Sequence, residues 1–327
     1  MSLIKQIFNI QSDEEFEQIA LQLFNLQYNQ NKIYQSFCDL LKVNPEEITS
    51  LEKIPFLPIE FFKSHQVVTG NFVPQQIFLS SGTTTGKNQS KHLVKDLKVY
   101  EESFTKGFNQ FYGGVEDYCF LALLPSYMER EGSSLIYMTE YLVKNSNHPL
   151  SGFYLDEYVK LIETIKELQS RNQKTILIGV SFALLDFTEQ HKVDLSGIII
   201  METGGMKGRR KELTRTELHK IYKESFNVAP IHSEYGMTEL LSQAYSFGEG
   251  VYQSPAWMQV LIRDINDPFT FLSAQKTGGV NVIDLANVDS CAFIATQDLG
   301  KKNADNTFEI LGRFDNSDLR GCNLLIN

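Results

Sequence analysis

FLSSGTTTGK, the segment Phe78–Lys87, is the most informative stretch of this sequence for the fold. Two apolar residues lead into five hydroxyl side chains and two glycines within eight positions. Such a loop has no apolar face to bury, and its hydroxyl and backbone N–H donors suit a polyphosphate. A polar surface loop is the alternative. The predicted phosphate-binding residues are Ser80, Ser81, Gly82, Thr83, Thr84, Thr85, Gly86 and Lys87.

This segment is not a Walker loop. One residue fewer stands between Gly82 and Gly86 than the Walker pattern requires, and Asn88 follows Lys87 where Ser or Thr would hold magnesium. Two further segments help to interpret it: Ser233–Glu239 reads SEYGMTE, and Gly312–Asp315 reads GRFD. All three together, in this order, resemble the ANL superfamily of adenylate-forming enzymes, which includes acyl-CoA synthetases, adenylation domains and luciferases.

The resemblance implies roles for four residues of the second segment, which in the family surrounds the nucleotide. Tyr235 would stack on the adenine, and Gly236, the next residue, would also contact the nucleotide. Thr238 would hydrogen-bond the α-phosphate, and Glu239 would hold Mg²⁺, which prefers one or two carboxylates together with phosphate oxygens. We therefore expect ATP and Mg²⁺ as cofactors, with Thr238 and Glu239 as catalytic residues. A capping carboxylate at a helix start is the alternative for Glu239.

Four other residues resemble nucleotide contacts of the family. Asp298, in the segment TQDLG, resembles the ribose-binding aspartate, and Arg313 resembles the arginine that contacts ribose or phosphate. Taken singly, each would be an ordinary turn residue. Gly204 and Gly205 correspond to a turn beside the adenine, and glycine allows a flat ring to approach the backbone. A tight turn that needs glycine for its dihedral angles is the alternative reading, and both can hold.

The substrate side is less sharply marked. Ser181 and Phe182 follow the apolar run Thr175–Val180 at once, and the corresponding turn in the family lines the acyl pocket. Phe182, together with Leu185, would serve equally well in the core. The polar segment Leu124–Leu135 leaves another apolar run, and ligands in open α/β sheets bind beyond the carboxyl ends of strands. It is either a substrate rim or an ordinary connection.

The order of apolar segments predicts an α/β fold with a doubly wound, mostly parallel sheet. Unbroken apolar runs such as Gly197–Met201 are typical of strands buried on both faces. A capping box at Ser12 and Glu15 begins a helical amino-terminal segment. Short strands separated by turns follow Glu239. We expect a helical segment over 1–76, a nucleotide-binding core over 77–240 and a β-rich subdomain over 241–327.

Composition narrows the class of protein. The 327 residues are 42% hydrophobic and carry a net charge of −10, which disfavours a nucleic-acid surface. Four cysteines show no paired spacing, so we expect reduced thiols in a cytoplasmic protein and no zinc site. The sequence begins without the apolar core of a signal peptide and contains no apolar run of membrane-spanning length.

The carboxyl-terminal end differs from most of the family. Only Asn316–Asn327 follow Asp315, so we expect no counterpart of the mobile lid domain that carries a catalytic lysine and completes the CoA half-reaction. The short acyl-protein synthetases of bacterial bioluminescence resemble this arrangement more closely, and they pass the acyl group to a cysteine of their own. Cys322 is the candidate acceptor here, with a buried apolar role as the alternative.

The expected function is therefore that of an AMP-forming acyl-activating ligase. It would convert a small-molecule carboxylic acid, fatty or otherwise apolar, to acyl-AMP and pass the acyl group to a thiol. CoA, an acyl-carrier protein and an acyl-processing protein are the candidate partners. Two alternatives remain: a nucleotide- or acyl-binding module with impaired catalysis, and a CoA-ligase fragment that needs a lid protein in trans.

Overall fold

A computed structural model of the chain describes residues 2–81, 89–124, 132–155, 157–204 and 213–314. These residues form two compact units. The first, here called the large unit, is Asn71–Pro255. The second, the composite unit, combines the segment up to Gly70 with the segment from Ala256. The amino-terminal helices thus share a unit with the carboxyl-terminal strands. The three-part domain division expected from the sequence stays a prediction.

The helices and strands follow one another in chain order. The helices are α1 (Leu3–Ile7), α2 (Asp13–Gln30), α3 (Lys32–Leu40), α4 (Phe61–Ser64), α5 (Leu97–Tyr112), α6 (Ser134–Asn145), α7 (Tyr158–Ser170), α8 (Ser181–Gln190) and α9 (Arg215–Phe226). The strands are β1 (Leu57–Pro58), β2 (Gln76–Leu79), β3 (Lys91–Val94), β4 (Cys119–Leu123), β5 (Gly152–Phe153), β6 (Thr175–Val180), β7 (Ile198–Thr203), β8 (His232–Tyr235), β9 (Ala244–Ser246), β10 (Val251–Gln253), β11 (Met258–Arg263), β12 (Thr277–Asp284), β13 (Phe293–Lys302) and β14 (Phe308–Arg313).

The large unit is built on a mostly parallel sheet with strand order β10-β9-β8-β7-β6-β4-β5. The pairs from β8 through β5 are parallel, and β9 and β10 add an antiparallel edge. Every residue of β6 is buried, as its continuous apolar sequence predicts. A separate antiparallel hairpin is formed by β2 and β3. The predicted α/β class with its mostly parallel sheet is confirmed.

The composite unit contains an antiparallel sheet in the order β11-β12-β13-β14, with β1 pairing parallel to β13. Two buried amides of its helical segment hold the loop before β13. Gln27 donates from Nε2 to the carbonyl of Asn287 (2.8 Å) and accepts at Oε1 from the N–H of Ala292 (3.0 Å). Asn31 donates from Nδ2 to the carbonyl of Ser290 (2.9 Å). The helical and β-rich ends of the sequence therefore complete one packed unit.

Local predictions held at helix starts and failed at one strand. Ser12 caps α2 by accepting from the N–H of Glu15 (3.3 Å), as the capping signature predicts. The apolar residues 228–231 predict a strand, but the strand that forms is His232–Tyr235. Pro230 explains the shift, because proline has no N–H for a strand ladder. None of the described helices is both long enough and apolar enough to span a membrane.

Candidate functional site

The carboxyl ends of three parallel strands bring several predicted residues to one edge of the large unit. The register aligns Val180 of β6 with Thr203 of β7, and Thr203 with Glu234 of β8. Ser181, Gly204 and Tyr235 therefore leave the sheet side by side. This edge is where open α/β sheets bind ligands.

Ser181 is tied directly to the turn after β7. Its Oγ lies within hydrogen-bond distance of Oε1 of Glu202 (2.6 Å) and of the carbonyl of Gly204 (3.0 Å). The Ser181 side chain is buried, whereas its neighbour Phe182 is half-buried. The buried Ser181 hydroxyl therefore links the end of β6 to the end of β7 and the turn after it. That Ser181 and Phe182 line a substrate pocket stays a prediction.

Glu202 is the centre of a buried polar network that no sequence motif indicates. Ser233 donates from Oγ to Oε2 of Glu202 (3.2 Å), and Nε2 of His219 lies 3.1 Å from the same oxygen. The guanidinium of Arg215 lies 3.9 Å away. Burial alone would raise the pKa of Glu202, but His219, Arg215 and Ser181 together hold it below its ordinary value. The available sequence signal was a charged residue directly after the apolar run of β7.

Glu234 is a second buried carboxyl beside the first. Its Oε2 accepts a hydrogen bond from the hydroxyl of Thr203. Burial raises the pKa of Glu234 to about 7, and the nearby charge of Glu202 also raises it. The hydrogen bond from Thr203 lowers this pKa but does not offset burial. The Glu234 carboxyl also explains why a glycine stands two residues later. A Cβ on the exposed Gly236 would lie 2.5 Å from Oε1 of Glu234, so a larger residue would clash.

The remaining residues of this motif follow β8 in a short turn. Tyr235 is 8% exposed, and its ring centroid lies 5.8 Å from that of Tyr252. Thr238 is half-buried and Glu239 is 5% exposed. Among the described residues no three His, Cys, Asp or Glu side chains converge as a metal cage. A single carboxylate at Glu239 fits Mg²⁺, which takes its other oxygen ligands from phosphates and water.

The beginning of the predicted phosphate loop closes the β2–β3 hairpin. The N–H of Ser80 donates to the carbonyl of Ser90 (3.1 Å), and the N–H of Ser90 donates to Oγ of Ser80 (2.9 Å). Ser81 is exposed. Several predicted residues lie outside the described parts of the chain: Gly82, Thr83, Thr84, Thr85, Gly86, Lys87, Gly205, Asp315 and Cys322.

Asp298 and Arg313 form an ion pair in the composite unit. They stand opposite each other on β13 and β14, and Nε of Arg313 donates to Oδ1 of Asp298 (3.1 Å). The Asp298 side chain is 7% exposed and that of Arg313 is 76% exposed. Both are strand residues, so the alternative that each is an ordinary turn residue does not hold. Cross-strand pairing places them together despite their separation in sequence.

Several solved structures share this fold but are distant from the chain in sequence. A 2-hydroxyisobutyryl-CoA ligase in an open conformation, in complex with 2-HIB-AMP and CoA, superposes with a TM-score of 0.63 at 11% identity, over 93% of this chain and 76% of that one. In the postadenylation state with 2-HIB-AMP, the ligase gives a TM-score of 0.62 at 10% identity, over 95% of this chain and 70% of that one.

Another similar structure matches over a smaller part of both chains. ATP-bound MatB from Rhodopseudomonas palustris gives a TM-score of 0.52 at 16% identity, over 72% of this chain and 47% of that one. The chain thus spans about half the length of the MatB structure. No protein-family model and no curated protein matches the sequence. Identities this low establish the fold alone. The chain therefore has the fold of the MatB and 2-hydroxyisobutyryl-CoA ligase structures, and its three motifs resemble the ANL superfamily.

Proposed function

We propose that this chain activates a carboxylic acid with ATP, forming an acyl-AMP and pyrophosphate. The observation that carries the proposal is the placement of the Tyr235–Glu239 motif. It leaves β8 at the carboxyl edge of a parallel sheet, beside the Gly204 turn, in a fold shared with ATP-bound MatB and with a CoA ligase solved with 2-HIB-AMP. Fold alone does not establish an activity, so the residues at this edge carry the proposal.

The residues of the edge suit a reaction between two anions. The carboxylate oxygen of the acid would attack the α-phosphorus, and the bond to the bridging oxygen of the β-phosphate would break, releasing pyrophosphate with the electron pair. Catalysis is then mainly positioning and charge neutralisation. The Thr238 hydroxyl would donate to the α-phosphate, and Glu239 would hold Mg²⁺, whose charge offsets that of the phosphates. The exposed Gly236 gives a flat ring access to the backbone beside Tyr235.

The second half of the proposal is transfer of the acyl group to a thiol, with Cys322 as the candidate. The sulfur would attack the acyl carbon, AMP would leave with the electron pair, and the thiol proton would pass to solvent. The three other cysteines are buried. Burial raises the pKa of Cys38 to about 12 and that of Cys119 to about 11, and it also raises the pKa of Cys291. Thiols with such pKa values are poor nucleophiles at neutral pH.

The adenylation step is tested by acid-dependent pyrophosphate release. The purified chain is incubated with ATP, Mg²⁺ and a panel of fatty, aromatic and 2-hydroxy acids, and acyl-AMP is identified by mass spectrometry. Release that requires an acid supports the proposal. Tight AMP binding without turnover would instead favour a binding module. Activity that appears only when a separately expressed lid domain is added would favour a fragment that works in trans.

Glu239→Gln tests the proposed magnesium ligand, because the amide keeps the shape of the side chain and removes its charge. We expect kcat for pyrophosphate release to fall by roughly 10- to 100-fold and the Mg²⁺ requirement to rise, with the fold retained. Glu102→Gln, on the exposed face of α5 in an ion pair with Lys106, is the matched control. Unchanged activity at limiting Mg²⁺ would contradict the assignment of Glu239.

A further inference from the structure

A buried histidine connects the β2–β3 hairpin to the turn that carries Thr238 and Glu239. His92 lies on β3 opposite Phe78 of β2, and its side chain is 1% exposed. Nδ1 of His92 lies 2.8 Å from the main-chain carbonyl oxygen of Thr238. Both residues belong to the large unit, although they are 146 positions apart in the sequence.

The chemistry of this contact defines which ring nitrogen carries the proton. A carbonyl oxygen only accepts hydrogen bonds, so Nδ1 of His92 must be the donor. Burial lowers the pKa of His92 to about 4, although the hydrogen bond to Thr238 opposes this shift. The ring is therefore neutral at neutral pH, and its single proton is on Nδ1. A neutral ring adds no charge beside the phosphates, so its effect is directional.

The acceptor is the peptide group that joins Thr238 to Glu239. Because a peptide unit is planar, the carbonyl of Thr238 and the N–H of Glu239 turn together. A donor fixed to the carbonyl therefore sets the direction in which both side chains leave the backbone. The turn has a second restraint in the hydrogen bond from the N–H of Leu240 to the carbonyl of Met237 (3.1 Å).

We propose that His92 is a positioning residue of the nucleotide site, which holds the Thr238–Glu239 peptide in the orientation that binds the phosphates and Mg²⁺ of ATP. The inference rests on the proposed function of Thr238 and Glu239. It adds a residue outside every recognised motif, on the strand that follows the hydroxyl-rich segment. The β2–β3 hairpin and the turn after β8 would thus be coupled through this hydrogen bond.

Two substitutions separate the hydrogen bond from the buried volume. His92→Asn places an amide N–H near the position of Nδ1, whereas His92→Phe keeps a buried ring and removes the donor. ATP affinity is measured by calorimetry in the presence of Mg²⁺, and KM and kcat by pyrophosphate release. We expect His92→Phe to weaken ATP binding by roughly fivefold to tenfold, the usual effect of one lost hydrogen bond, and His92→Asn to recover most of that loss. KM for the acid should change little.

His232→Asn is the matched control. His232 is a half-buried histidine of the same unit, and its Nδ1 lies 3.0 Å from the hydroxyl of Tyr112 at the opposite end of β8. We expect it to leave ATP affinity unchanged. The tautomer gives a readout that needs no nucleotide: in the chain labelled with ¹⁵N-histidine, the His92 signal, assigned by its loss in His92→Asn, should show a protonated Nδ1 and an unprotonated Nε2.

The outcomes separate this inference from the proposed function. If the unchanged chain binds no ATP, the proposed function fails and this inference fails with it. If the unchanged chain binds ATP and His92→Phe binds it equally well, this inference alone is overturned. It is also overturned if His92→Asn is as weak as His92→Phe, or if Nδ1 carries no proton. Should His92→Phe not fold, the comparison of His92→Asn with the unchanged chain and the tautomer still decide.

Discussion

The Oγ of Ser181 lies 2.6 Å from Oε1 of Glu202, at the point where β6 and β7 both end. The same hydroxyl is 3.0 Å from the carbonyl of Gly204, so one small side chain connects a buried carboxylate to the turn beside the proposed nucleotide site. Tyr222 of α9 adds a further restraint by donating from its hydroxyl to the carbonyl of Ser181 (2.7 Å). The orientation of the Gly204 turn therefore depends on groups beneath it.

Ser181→Ala tests whether this residue positions the turn or contacts the acid. Its loss leaves a buried carboxylate short of a donor, so we expect the free energy of unfolding to fall by about 1–3 kcal/mol. KM for ATP should rise while the order of preference among acids stays the same. A change in that order would indicate direct contact with the acid. Ser170→Ala, which removes an exposed hydroxyl bonded to the carbonyl of Glu167, is the control and should change neither quantity.

Glu234→Gln should change how stability depends on pH. The pKa of this carboxyl is about 7 in the folded chain and ordinarily 4.5, so between those values the folded state keeps a proton that the unfolded state releases. Its contribution is fully present below pH 4.5 and is lost as the pH rises through about 7. The amide cannot ionise and still accepts from Thr203. The free energy of unfolding of Glu234→Gln, relative to that of the unchanged chain, should therefore rise by up to about 3 kcal/mol as the pH increases from 5 to 8.

Urea denaturation over a series of pH values measures this gain. Glu224→Gln is the control, because Glu224 is 68% exposed in a weak pair with Lys220 on α9. We expect the difference in the free energy of unfolding between this variant and the unchanged chain to be the same at every pH. A flat difference for Glu234→Gln as well would mean that Glu234 ionises normally in the folded chain.

Asp298→Asn tests the ribose contact that the family resemblance implies. A carboxylate accepts hydrogen bonds from two hydroxyls, whereas an amide offers a single acceptor atom. We expect KM for ATP to rise roughly tenfold, while KM for 2′,3′-dideoxy-ATP, already high, stays nearly constant. Asp305→Asn, in an exposed turn of the same unit, is the control. An equal loss for both nucleotides would mean that Asp298 acts through its ion pair with Arg313 rather than on the ribose.

The sequence predicts the parts of this molecule whose signals are local. The continuous apolar residues of β6 and the cap at Ser12 can be read from neighbouring residues, and both are confirmed. The pairing of Asp298 with Arg313 depends on strand register, which residue patterns do not define across a turn. Sequence reasoning could name both residues only through the family resemblance.

Residue patterns do not reveal which polar side chains are buried. Glu202 and His219 lie on different elements, a strand end and a helix, and each alone resembles an ordinary surface residue. Their burial becomes visible only when β7 and α9 pack together, because burial of a charge is tolerated when partners on other elements satisfy it. His92 is similar, since its partner is a backbone carbonyl and carries no side-chain signal at all.

Cys322→Ser tests the proposed acyl acceptor. A serine hydroxyl has nearly the shape of the thiol but is a far weaker nucleophile at neutral pH. In the unchanged chain, incubation with ATP, Mg²⁺ and a productive acid should add one acyl group to Cys322, labile to hydroxylamine as a thioester is and absent when ATP or the acid is omitted. In Cys322→Ser the adduct should disappear while pyrophosphate release persists, because activation precedes transfer. Cys119→Ala, which removes a buried thiol of β4, should keep the adduct. Intact-protein and peptide mass spectrometry locate the group, and an adduct found on Cys38, Cys119 or Cys291 would contradict the assignment.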